Sequence, residues 1–309
     1  MKYSIKIVWI FQAIFNFKNM IKKTVNKISN IINNLPLLFR TLNKIHRTGG
    51  YTTINFAQIN YGQTLKGKNI LITGGSSGIG FNIAKKCIQE GAKVVITGRN
   101  NNKLLEADKA IDSPLLKTLL WDISNVALIQ DKLDEVKSLF AGDVDILVNN
   151  AGILNTVQFP NITEDIWDNL YATNSKGLFF LTQTLCEQWM REEKNQIRKV
   201  INISSQGGFV GATFPYRLTK WDVAGLTQGL GIKLAPHGII VNGIAPGIIA
   251  TDMQQGCLNQ NENVFYPQNP MQRFALPEEI AELAIFMMSN ACNFIVGQTI
   301  VCDGGYSIK

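Results

Sequence analysis

The sequence predicts an α/β protein built on a Rossmann-type, doubly wound parallel sheet with helices on both faces, preceded by a helical N-terminal extension. Three observations indicate this fold class. Short apolar, β-branched segments recur over residues 67–309, helical patterns separate them, and a glycine-rich turn joins the first segment to its helix. Continuous apolar strands that alternate with helices are typical of a parallel sheet covered on both faces. A chain of 309 residues is long enough for one such domain and an appendage.

Six segments of the chain carry the strand pattern. The first, residues 69–72, leads through the glycine-rich turn into a helix predicted over residues 81–90. The other predicted strands are residues 93–97, 145–148, 200–203, 238–242 and 298–301. Helical stretches separate these strands, as the crossover connections of a parallel sheet require.

The charge of the chain is concentrated at its N-terminal end. Residues 1–66 contain ten Lys or Arg and no Asp or Glu, so they carry +10 of a net charge of +7 and leave −3 for the rest. The sequence therefore predicts two parts, a basic amphipathic extension and linker over 1–66 and a globular domain over 67–309. Because the domain itself is slightly acidic, it gives no electrostatic argument for binding nucleic acid.

The extension begins with an apolar, aromatic stretch over residues 1–17, which is shorter than a membrane-spanning helix needs. Apolar residues at helical spacing follow from Ile21, with lysines mostly off that stripe. This pattern predicts that residues 1–47 bind a membrane surface and target the protein to the mitochondrion. The cytoplasm and the endoplasmic reticulum surface are alternative locations, and an arm packed on this domain or on a partner subunit is the alternative role.

Cysteine and histidine contribute little to the predicted chemistry. The five cysteines form no Cys-x-x-Cys pair, which indicates reduced thiols and no structural zinc. The only histidines are His46 and His237, too few for a histidine-based metal site or a Ser-His-Asp triad. We therefore expect no metal site.

The glycine-rich turn, residues 73–80, reads TGGSSGIG and lies between the first strand and its helix. Glycines there permit a tight turn and close approach of the backbone to a pyrophosphate, which the helix N-terminus attracts. About twenty residues on, at the end of the second strand, NAD-binding domains usually carry an acidic residue. This chain has Gly98 and Arg99 instead, and a guanidinium can pair with a 2′-phosphate. The sequence thus predicts NADP(H) in preference to NAD(H), with a solvated loop arginine as the alternative interpretation.

Over residues 67–309 the chain resembles the short-chain dehydrogenase/reductase family in its form of roughly 250 residues. The motifs that carry the resemblance occur in the family's order: TGGSSGIG at 73–80, Asp122 in WDIS, NNAG at 149–152, Asn174, NISS at 202–205, YRLTK at 216–220, PGIIATDM at 246–253 and GQTIVCDGG at 297–305. The family interconverts alcohols and carbonyls by hydride transfer to or from a nicotinamide cofactor. The terminal segment is similar to that of 3-oxoacyl thioester reductases.

The resemblance implies a cofactor site made of four groups of residues. Gly74, Gly78 and Gly80 would shape the phosphate turn, and Ser76, Ser77 and Ile79 would line it. Asp122 would meet the adenine amino group. Asn150, Ala151 and Gly152 would border the adenosine ribose, although this segment also stabilises the sheet. The nicotinamide would be flanked by Pro246, Gly247, Ile249 and Thr251.

The implied chemistry rests on Tyr216 and Lys220, which are four residues apart and so share one face of a helix. Tyr216 would be the proton donor or acceptor, and we expect the Lys220 ammonium, with the oxidised nicotinamide, to lower its pKa. Lys220 would also hold the nicotinamide ribose. Ser205 would donate a hydrogen bond to the substrate oxygen, with Ser204 as the alternative, and Asn174 would anchor a water that relays protons to Lys220.

The substrate is less well defined by the sequence. Phe209, Val210 and Phe214 would form an apolar wall, and the polar residues 254–273 a variable lid. This combination predicts a small carbonyl or alcohol substrate such as a 3-oxoacyl thioester or another apolar ketone. His237 stands where relatives that dock acyl carrier proteins tend to carry arginine, so carrier docking is not implied.

Two functions of other classes remain open at this stage. A structural or accessory subunit of a mitochondrial membrane assembly could have kept the fold, and the N-terminal extension motivates that alternative. An NADPH-binding sensor without turnover is the other alternative. The resemblance further implies a homo-oligomer, either a dimer or a tetramer.

Overall fold

The computed structural model describes residues 58–191, 196–250, 265, 266 and 268–308, together with isolated helical positions between Leu35 and His46. Seven strands form its sheet: β1 (Asn69–Ile72), β2 (Lys93–Gly98), β3 (Leu116–Leu120), β4 (Ile146–Asn149), β5 (Arg198–Ile203), β6 (Ile239–Pro246) and β7 (Thr299–Cys302). The α-helices are α1 (Gly78–Gln89), α2 (Asn101–Ile111), α3 (Ile129–Phe140), α4 (Glu164–Tyr171), α5 (Leu178–Arg191), α6 (Pro215–Leu234) and α7 (Pro277–Met288).

All neighbouring strands are parallel, and their order across the sheet is β3-β2-β1-β4-β5-β6-β7. The chain winds outward from β1 to β3, then returns to β4 on the other side of β1 and winds outward to β7. Ligands of open parallel sheets bind at the carboxyl ends of the strands, where this reversal opens a crevice. The topology therefore places a binding site at the carboxyl edge, next to β1 and β4.

The core lies on both faces of the sheet. Along β1, Ile70 and Ile72 pack into one apolar cluster with α1 and α7, whereas Leu71 packs into a second cluster with α3 and α5. Successive side chains of a strand point to opposite faces, so burial on both faces requires the continuous apolar segments seen in the sequence. The predicted Rossmann-type, doubly wound parallel sheet is confirmed, and most of the predicted helical N-terminal extension lies outside the residues described.

The first helix begins at Gly78 rather than residue 81, and β6 continues to Pro246 beyond the predicted residue 242. Two further departures show what an apolar pattern misses. The strand β3 was not expected, because its sequence LKTLL interrupts the apolar pattern and only Leu116 is buried. The strand β5 begins two residues before the predicted residue 200, since the buried charged side chains of Arg198 and Lys199 open it. Apolar patterns identify strands buried on both faces and miss an edge strand or a buried charge.

Residues 58–66, here called the strap, pack on the domain ahead of β1. The Lys86 ammonium donates a hydrogen bond to the carbonyl of Ile59, and the amide of Tyr61 donates to the Glu90 carboxylate at 3.2 Å. Lys86 and Glu90 are both buried near the C-terminal end of α1. The strap is therefore fixed at the edge of the sheet opposite the carboxyl ends of the strands. None of the helices among the residues described is long and apolar enough to cross a membrane.

Candidate active site

A cleft of about 700 Å³ opens at the carboxyl edge of the sheet, where the topology places it. Most of the residues that the sequence predicts for the cofactor and for catalysis line it: Gly74, Ser76, Ser77, Gly78, Ile79, Arg99, Asn150, Ala151, Gly152, Ser205, Tyr216, Lys220, Pro246, Gly247 and Ile249. Gly80, Asp122 and Asn174 lie next to the lining rather than in it. Thr251 and most of the predicted lid fall outside the residues described.

The glycine-rich turn brings the backbone of β1 against the segment that follows β4. Gly74 has a φ of +65°, and a Cβ atom there would lie 2.7 Å from Cα of Ala151. A Cβ on Gly80 would overlap the side chain of Asn150. Gly74 is therefore required by the close approach of two main chains, and Gly80 by the Asn150 side chain and the Gly74 carbonyl, as well as by the tightness of the turn.

The NNAG segment is tied to this turn by hydrogen bonds. The Asn150 side chain donates to the carbonyls of Thr73 and Gly74, at 3.1 and 2.8 Å. The Thr73 hydroxyl accepts from the amides of Asn150 and Ala151. Asn150 thus holds the floor of the cleft together, which is the structural role that the sequence analysis left beside the cofactor role.

One end of the cleft is basic. Arg99 and Lys103 both line it and are exposed. Between them, Asn100 caps α2 by accepting a hydrogen bond from the amide of Lys103 at 3.1 Å. Sequence analysis identified Arg99 but missed Asn100 and Lys103. The signal was present, because an Asn that starts a helix brings the residue three positions later onto the same end of the cleft.

Asp122 occupies the turn after β3 rather than the cleft wall. Its carboxylate accepts from the amide and hydroxyl of Ser124, at 2.9 and 2.7 Å. Its neighbours Trp121 and Ile123 line the cleft instead. The proposed contact of Asp122 with adenine stays a prediction, and its local role is to shape this turn.

Tyr216 and Lys220 lie one turn apart near the start of α6. The Lys220 ammonium is 5.7 Å from the centre of the Tyr216 ring and donates a hydrogen bond to the carbonyl of Ile203 at 3.0 Å. Lys220 is buried, and burial lowers the pKa of its ammonium to about 8, because desolvation disfavours the charged form.

The expected lowering of the Tyr216 pKa is not produced by the side chains around it. Burial raises the pKa of Tyr216 above its usual value, and a side-chain hydrogen bond with Ser205 partly offsets this effect. The four-residue spacing indicates the nearby Lys220 ammonium but not the burial of the Tyr216 ring. In this environment the phenol keeps its proton.

Ser205 and Ser204 have different partners. Ser205 begins a short 3₁₀ turn, Gln206–Gly208. Its hydroxyl oxygen accepts from the amide of Gly207 at 3.1 Å, and its hydroxyl group also hydrogen-bonds with Tyr216. The hydroxyl of Ser204 donates to the carbonyl of Lys220 at 2.8 Å. Ser204 therefore joins β5 to α6, and Ser205 lines the cleft beside Tyr216.

Asn174 lies in a π-helical turn, Ala172–Gly177, between α4 and α5. Its buried amide group accepts from the amide of Ile153 and donates to the carbonyl of Ile153, both at 2.9 Å. A Cβ added to Gly152 would lie 3.5 Å from Asn174 Oδ1 and 3.7 Å from Lys220 Nζ. Asn174 and Lys220 thus approach the same stretch of main chain, and π-turns are frequent at functional sites.

The cleft has further lining residues that no motif indicated, namely Thr97, Ile153 and Thr173, while Ile203 of the NISS motif also lines it. Gly247 directly follows β6, and a Cβ there would lie 2.7 Å from Cα of Asp303, which directly follows β7. Beyond it, Arg273 forms a bidentate ion pair with Glu279, with both oxygens at 2.7 Å. Within the described part of the chain, no group of three or more His, Cys, Asp or Glu side chains could hold a metal ion.

A family model described as enoyl-(acyl carrier protein) reductase matches residues 74–307. The chain belongs to the short-chain dehydrogenase/reductase family. It is an oxidoreductase of that family, as the sequence predicted. The match covers the whole cleft and stops short of the N-terminal extension.

Relatives within the family differ in their substrates. Gluconate 5-dehydrogenase from Gluconobacter oxydans is 31% identical over 250 residues, which are 80% of this chain and 97% of that protein. A 3-oxoacyl-(acyl-carrier-protein) reductase from Staphylococcus aureus is 35% identical over 246 residues, which are 77% of this chain and 97% of that protein. Both relatives are matched over nearly their full length.

Solved structures of the family also align with this chain over most of its length. A 3-ketoacyl-(acyl-carrier-protein) reductase from Brucella melitensis, complexed with NADH, is 31% identical, with a TM-score of 0.73 over 79% of this chain and 100% of that one. An actinorhodin polyketide ketoreductase variant with NADPH is 26% identical, with a TM-score of 0.69 over 78% and 98%. The two neighbours carry different cofactors.

The cleft fits the nicotinamide dinucleotide that the family uses. Ser77 begins α1 without a side-chain cap, so the first amide groups of the helix remain available to a phosphate. Gly74 and Gly78 keep the surface of the turn free of side chains. The residues present thus fit a pyrophosphate at the glycine-rich turn, and Arg99 and Lys103 supply positive charge at the outer end of the cleft.

Proposed function

We propose that this dehydrogenase/reductase uses NADP(H) to interconvert a carbonyl and a secondary alcohol, with Tyr216 as the proton donor and acceptor. The observation that carries the proposal is the meeting of Ser205, Tyr216 and Lys220 at the inner end of the cleft, with Arg99 at its outer end. The reduced nicotinamide, when bound, supplies the hydride that reaches the carbonyl carbon.

The side chains supply the proton and the charge stabilisation. Ser205 donates a hydrogen bond to the substrate oxygen, where negative charge develops. Tyr216 gives its phenolic proton to that oxygen, and its raised pKa keeps this proton in place until the carbonyl arrives. Lys220 holds the nicotinamide ribose, and its ammonium stabilises the phenolate that remains. Asn174 orders the main chain beside Lys220, where we expect a water that returns the proton.

Tyr216→Phe tests this mechanism because it removes only the hydroxyl group. We expect the variant to keep its affinity for NADPH and to lose nearly all turnover. Lys220→Ala should weaken both, since Lys220 acts on the cofactor as well as on the tyrosine. Turnover is measured as NADPH oxidation across ketones, 3-oxoacyl thioesters and quinones. A Tyr216→Phe variant that keeps most of its activity would disprove the assignment of the proton donor.

The preference for NADPH rests on the basic end of the cleft. Arg99 and Lys103 provide two cations at the position where an NAD-dependent site usually has an acidic residue. We expect NADPH to bind at least about tenfold more tightly than NADH, as charge-assisted pairing with a phosphate supports. Arg99→Asp should reverse the order. Equal affinities of the unaltered protein for the two cofactors would contradict this preference.

The substrate class is a 3-oxoacyl thioester or another apolar ketone. Phe214 stacks beside Tyr216, with ring centres 6.4 Å apart, and gives the reacting end of the cleft an apolar wall. The reductases among the relatives act on 3-oxoacyl groups, which supports the thioester, whereas the gluconate relative supports a polar ketone. A screen in which no carbonyl is reduced would favour the accessory-subunit alternative.

The extension and the surface bear on partners. We propose that residues 1–47 bind a mitochondrial membrane surface and take no part in the chemistry, because each Lys or Arg near an anionic surface adds roughly 1 kcal/mol. Their deletion should release the protein from membranes and leave kcat unchanged; persistence on membranes after a salt wash would contradict this.

We also propose a homodimer or homotetramer, since the apolar side chains of Phe179 and Phe180 on α5 are about 40% exposed. Sedimentation can test this oligomeric state.

A further inference from the structure

The helix α6 carries two adjacent rows of side chains at its start. Tyr216 and Lys220 form the row that faces the cleft. Arg217 and Trp221, each one position later, form a neighbouring row, since successive helical residues are rotated by about 100°. This second row lies against the loop of residues 206–214, which joins the two catalytic positions Ser205 and Tyr216.

Arg217 holds the loop at three points. Its guanidinium donates a hydrogen bond to the carbonyl of Gly211 at 2.9 Å and lies 5.3 Å from the centre of the Phe214 ring. Its stem packs on Gly207, where an added Cβ would lie 3.0 Å from Cγ of Arg217. One side chain thus contacts the beginning, the middle and the end of the loop.

Trp221 reaches the same loop from the next turn of α6. Its indole N–H donates to the carbonyl of Val210 at 3.0 Å, although the side chain is 48% exposed. Because the indole is so exposed, core packing does not position it, and its hydrogen bond to the Val210 carbonyl indicates its role. Arg217 and Trp221 together bind two successive carbonyls of the loop, at Gly211 and Val210.

The loop has little else to fix its middle. A Cβ added to Gly211 would meet no atom within 4 Å, so the chain there runs through open space. A further contact of the loop comes from the Thr213 hydroxyl, which donates to the Gln158 carboxamide oxygen at 3.2 Å. Without the two α6 side chains, the carbonyls of Val210 and Gly211 would turn to solvent and the loop could detach from the helix.

We propose that Arg217 and Trp221 are positioning residues that clamp the loop 206–214 onto α6 and thereby set Ser205 and Phe214 at the reacting carbonyl. This role rests on the proposed function of Ser205 and Tyr216. The loop begins at Ser205 and ends at Phe214, which stacks on Tyr216 with an interplanar angle of 17°. Releasing the clamp would move the Ser205 hydroxyl relative to the Tyr216 hydroxyl while leaving the cofactor cradle in place.

The test uses the double variant Arg217→Lys with Trp221→Phe in the full-length protein. Both substitutions keep charge and aromatic character, so the electrostatic environment of Tyr216 is preserved while the planar fork and the indole donor are lost. The matched control is Arg191→Lys with Trp167→Phe. Both residues are also exposed, Arg191 pairs with Glu187 and Trp167 stacks on Tyr171, and neither partner belongs to the loop.

Amide hydrogen exchange gives the readout that needs no substrate. In the double variant we expect the hydrogen-bonded amides of Gly207, Gly208 and Phe209 to exchange at least about tenfold faster, while peptides from β1 and β4 are unchanged. The control variant should exchange like the unaltered protein. Unchanged exchange of the loop in the double variant would overturn the proposal whatever the activity of the enzyme.

Kinetics give the second readout, with acetoacetyl coenzyme A as the carbonyl probe. We expect kcat to fall at least about tenfold in the double variant, with the NADPH Kd and the melting temperature nearly unchanged, since a purely structural defect would move all three. Tyr216→Phe serves as the reference. An active Tyr216→Phe variant contradicts the proposed function, whereas an inactive one beside a fully active double variant contradicts the clamp alone.

Discussion

The two walls of the cleft are built by different kinds of contact. On the cofactor wall, main chain meets main chain: Gly74 approaches Cα of Ala151, and the Asn150 side chain binds two carbonyls of the opposite segment. On the substrate wall, the side chains of Arg217 and Trp221 extend from α6 to the carbonyls of a loop.

The difference determines what each wall tolerates. A contact between two main chains has no flexible group that can move away, so a single added methyl group must displace the backbone. A contact through a long side chain can be remade by another side chain. We therefore expect the cofactor wall to be intolerant of substitution, and the substrate wall to be the part of the molecule on which specificity can change.

The largest effect is expected for Gly74→Ala. The new Cβ would meet Cα of Ala151 in a left-handed backbone conformation, and NADPH affinity should fall by about 100-fold, or roughly 2.7 kcal/mol. Titration calorimetry measures this change. Gly62→Ala is the matched control, because Gly62 also has a positive φ but a Cβ there meets nothing within 4 Å. An equal loss of affinity in both variants would mean that strain, rather than the close approach, is responsible.

Gly208→Ala tests whether any position on the substrate wall is equally intolerant of an added methyl group. A Cβ at Gly208 would lie 2.5 Å from the carbonyl oxygen of Lys220, so the 3₁₀ turn must move off α6. We expect kcat/KM to fall by about 30-fold, roughly 2 kcal/mol, with a smaller change in NADPH affinity. Gly211→Ala, in open space three residues later, should be almost neutral in steady-state assays. Similar losses of kcat/KM in Gly208→Ala and Gly211→Ala would show that the close contact with the Lys220 carbonyl is not responsible.

Lys220 joins the two walls, and its protonation should be visible in cofactor binding. With its pKa lowered to about 8, the ammonium is charged below pH 8 and neutral above it. We expect the NADPH Kd to rise by about tenfold between pH 7 and pH 9.5, the loss of one charged hydrogen bond. Lys220→Met should show, at every pH, the weaker NADPH affinity that the unaltered protein shows at high pH. Its Kd should not change over this range, and a pH dependence that survives in Lys220→Met would belong to another group.

The smallest effect concerns the framework beneath both walls. Asn202 on β5 donates to the Thr227 hydroxyl at 2.9 Å, and Thr227 itself donates to the carbonyl of Val223. Thr227→Val leaves a buried amide without its acceptor, which should lower the free energy of unfolding by about 1–3 kcal/mol and leave NADPH affinity unchanged.

Thr184→Val is the control for that measurement. Its hydroxyl makes the same bond to the carbonyl four residues earlier, but it is exposed, so its loss should cost almost nothing. Chemical denaturation compares the two variants. Equal stabilities would show that the Asn202–Thr227 bond contributes no more than a surface bond.

The cofactor wall was the more predictable one from sequence, for a physical reason. A Cβ at Gly74 would meet the opposite backbone, and one at Gly80 would meet the Asn150 side chain, so only glycine fits at either position and the sequence shows the pattern. The substrate wall leaves none, because Arg217 and Trp221 bind carbonyls, which every residue has. The partners of Asn174 in the main chain of Ile153 were hidden for the same reason.

Electrostatic effects were predicted only as far as sequence distance allows. The four-residue spacing placed Lys220 beside Tyr216 correctly, and the ring and the ammonium lie 5.7 Å apart. Burial is a property of the whole fold, and it raises the Tyr216 pKa, whereas the expected lowering included the charge of a bound oxidised nicotinamide. The edge strand β3 was missed because half of its surface is solvated, so its sequence does not need a continuous apolar pattern.

The position of the strap determines how the enzyme can be joined to a support, a label or a fusion partner. Its contacts with Lys86 and Glu90 fix the entering chain near the far end of α1, a 12-residue helix of about 18 Å whose other end is the glycine-rich turn. A support, label or fusion joined ahead of residue 58 would therefore leave the mouth of the cleft facing the bulk solution. Immobilised in that orientation on a sensor chip, the protein should exchange cofactor as freely as it does in solution.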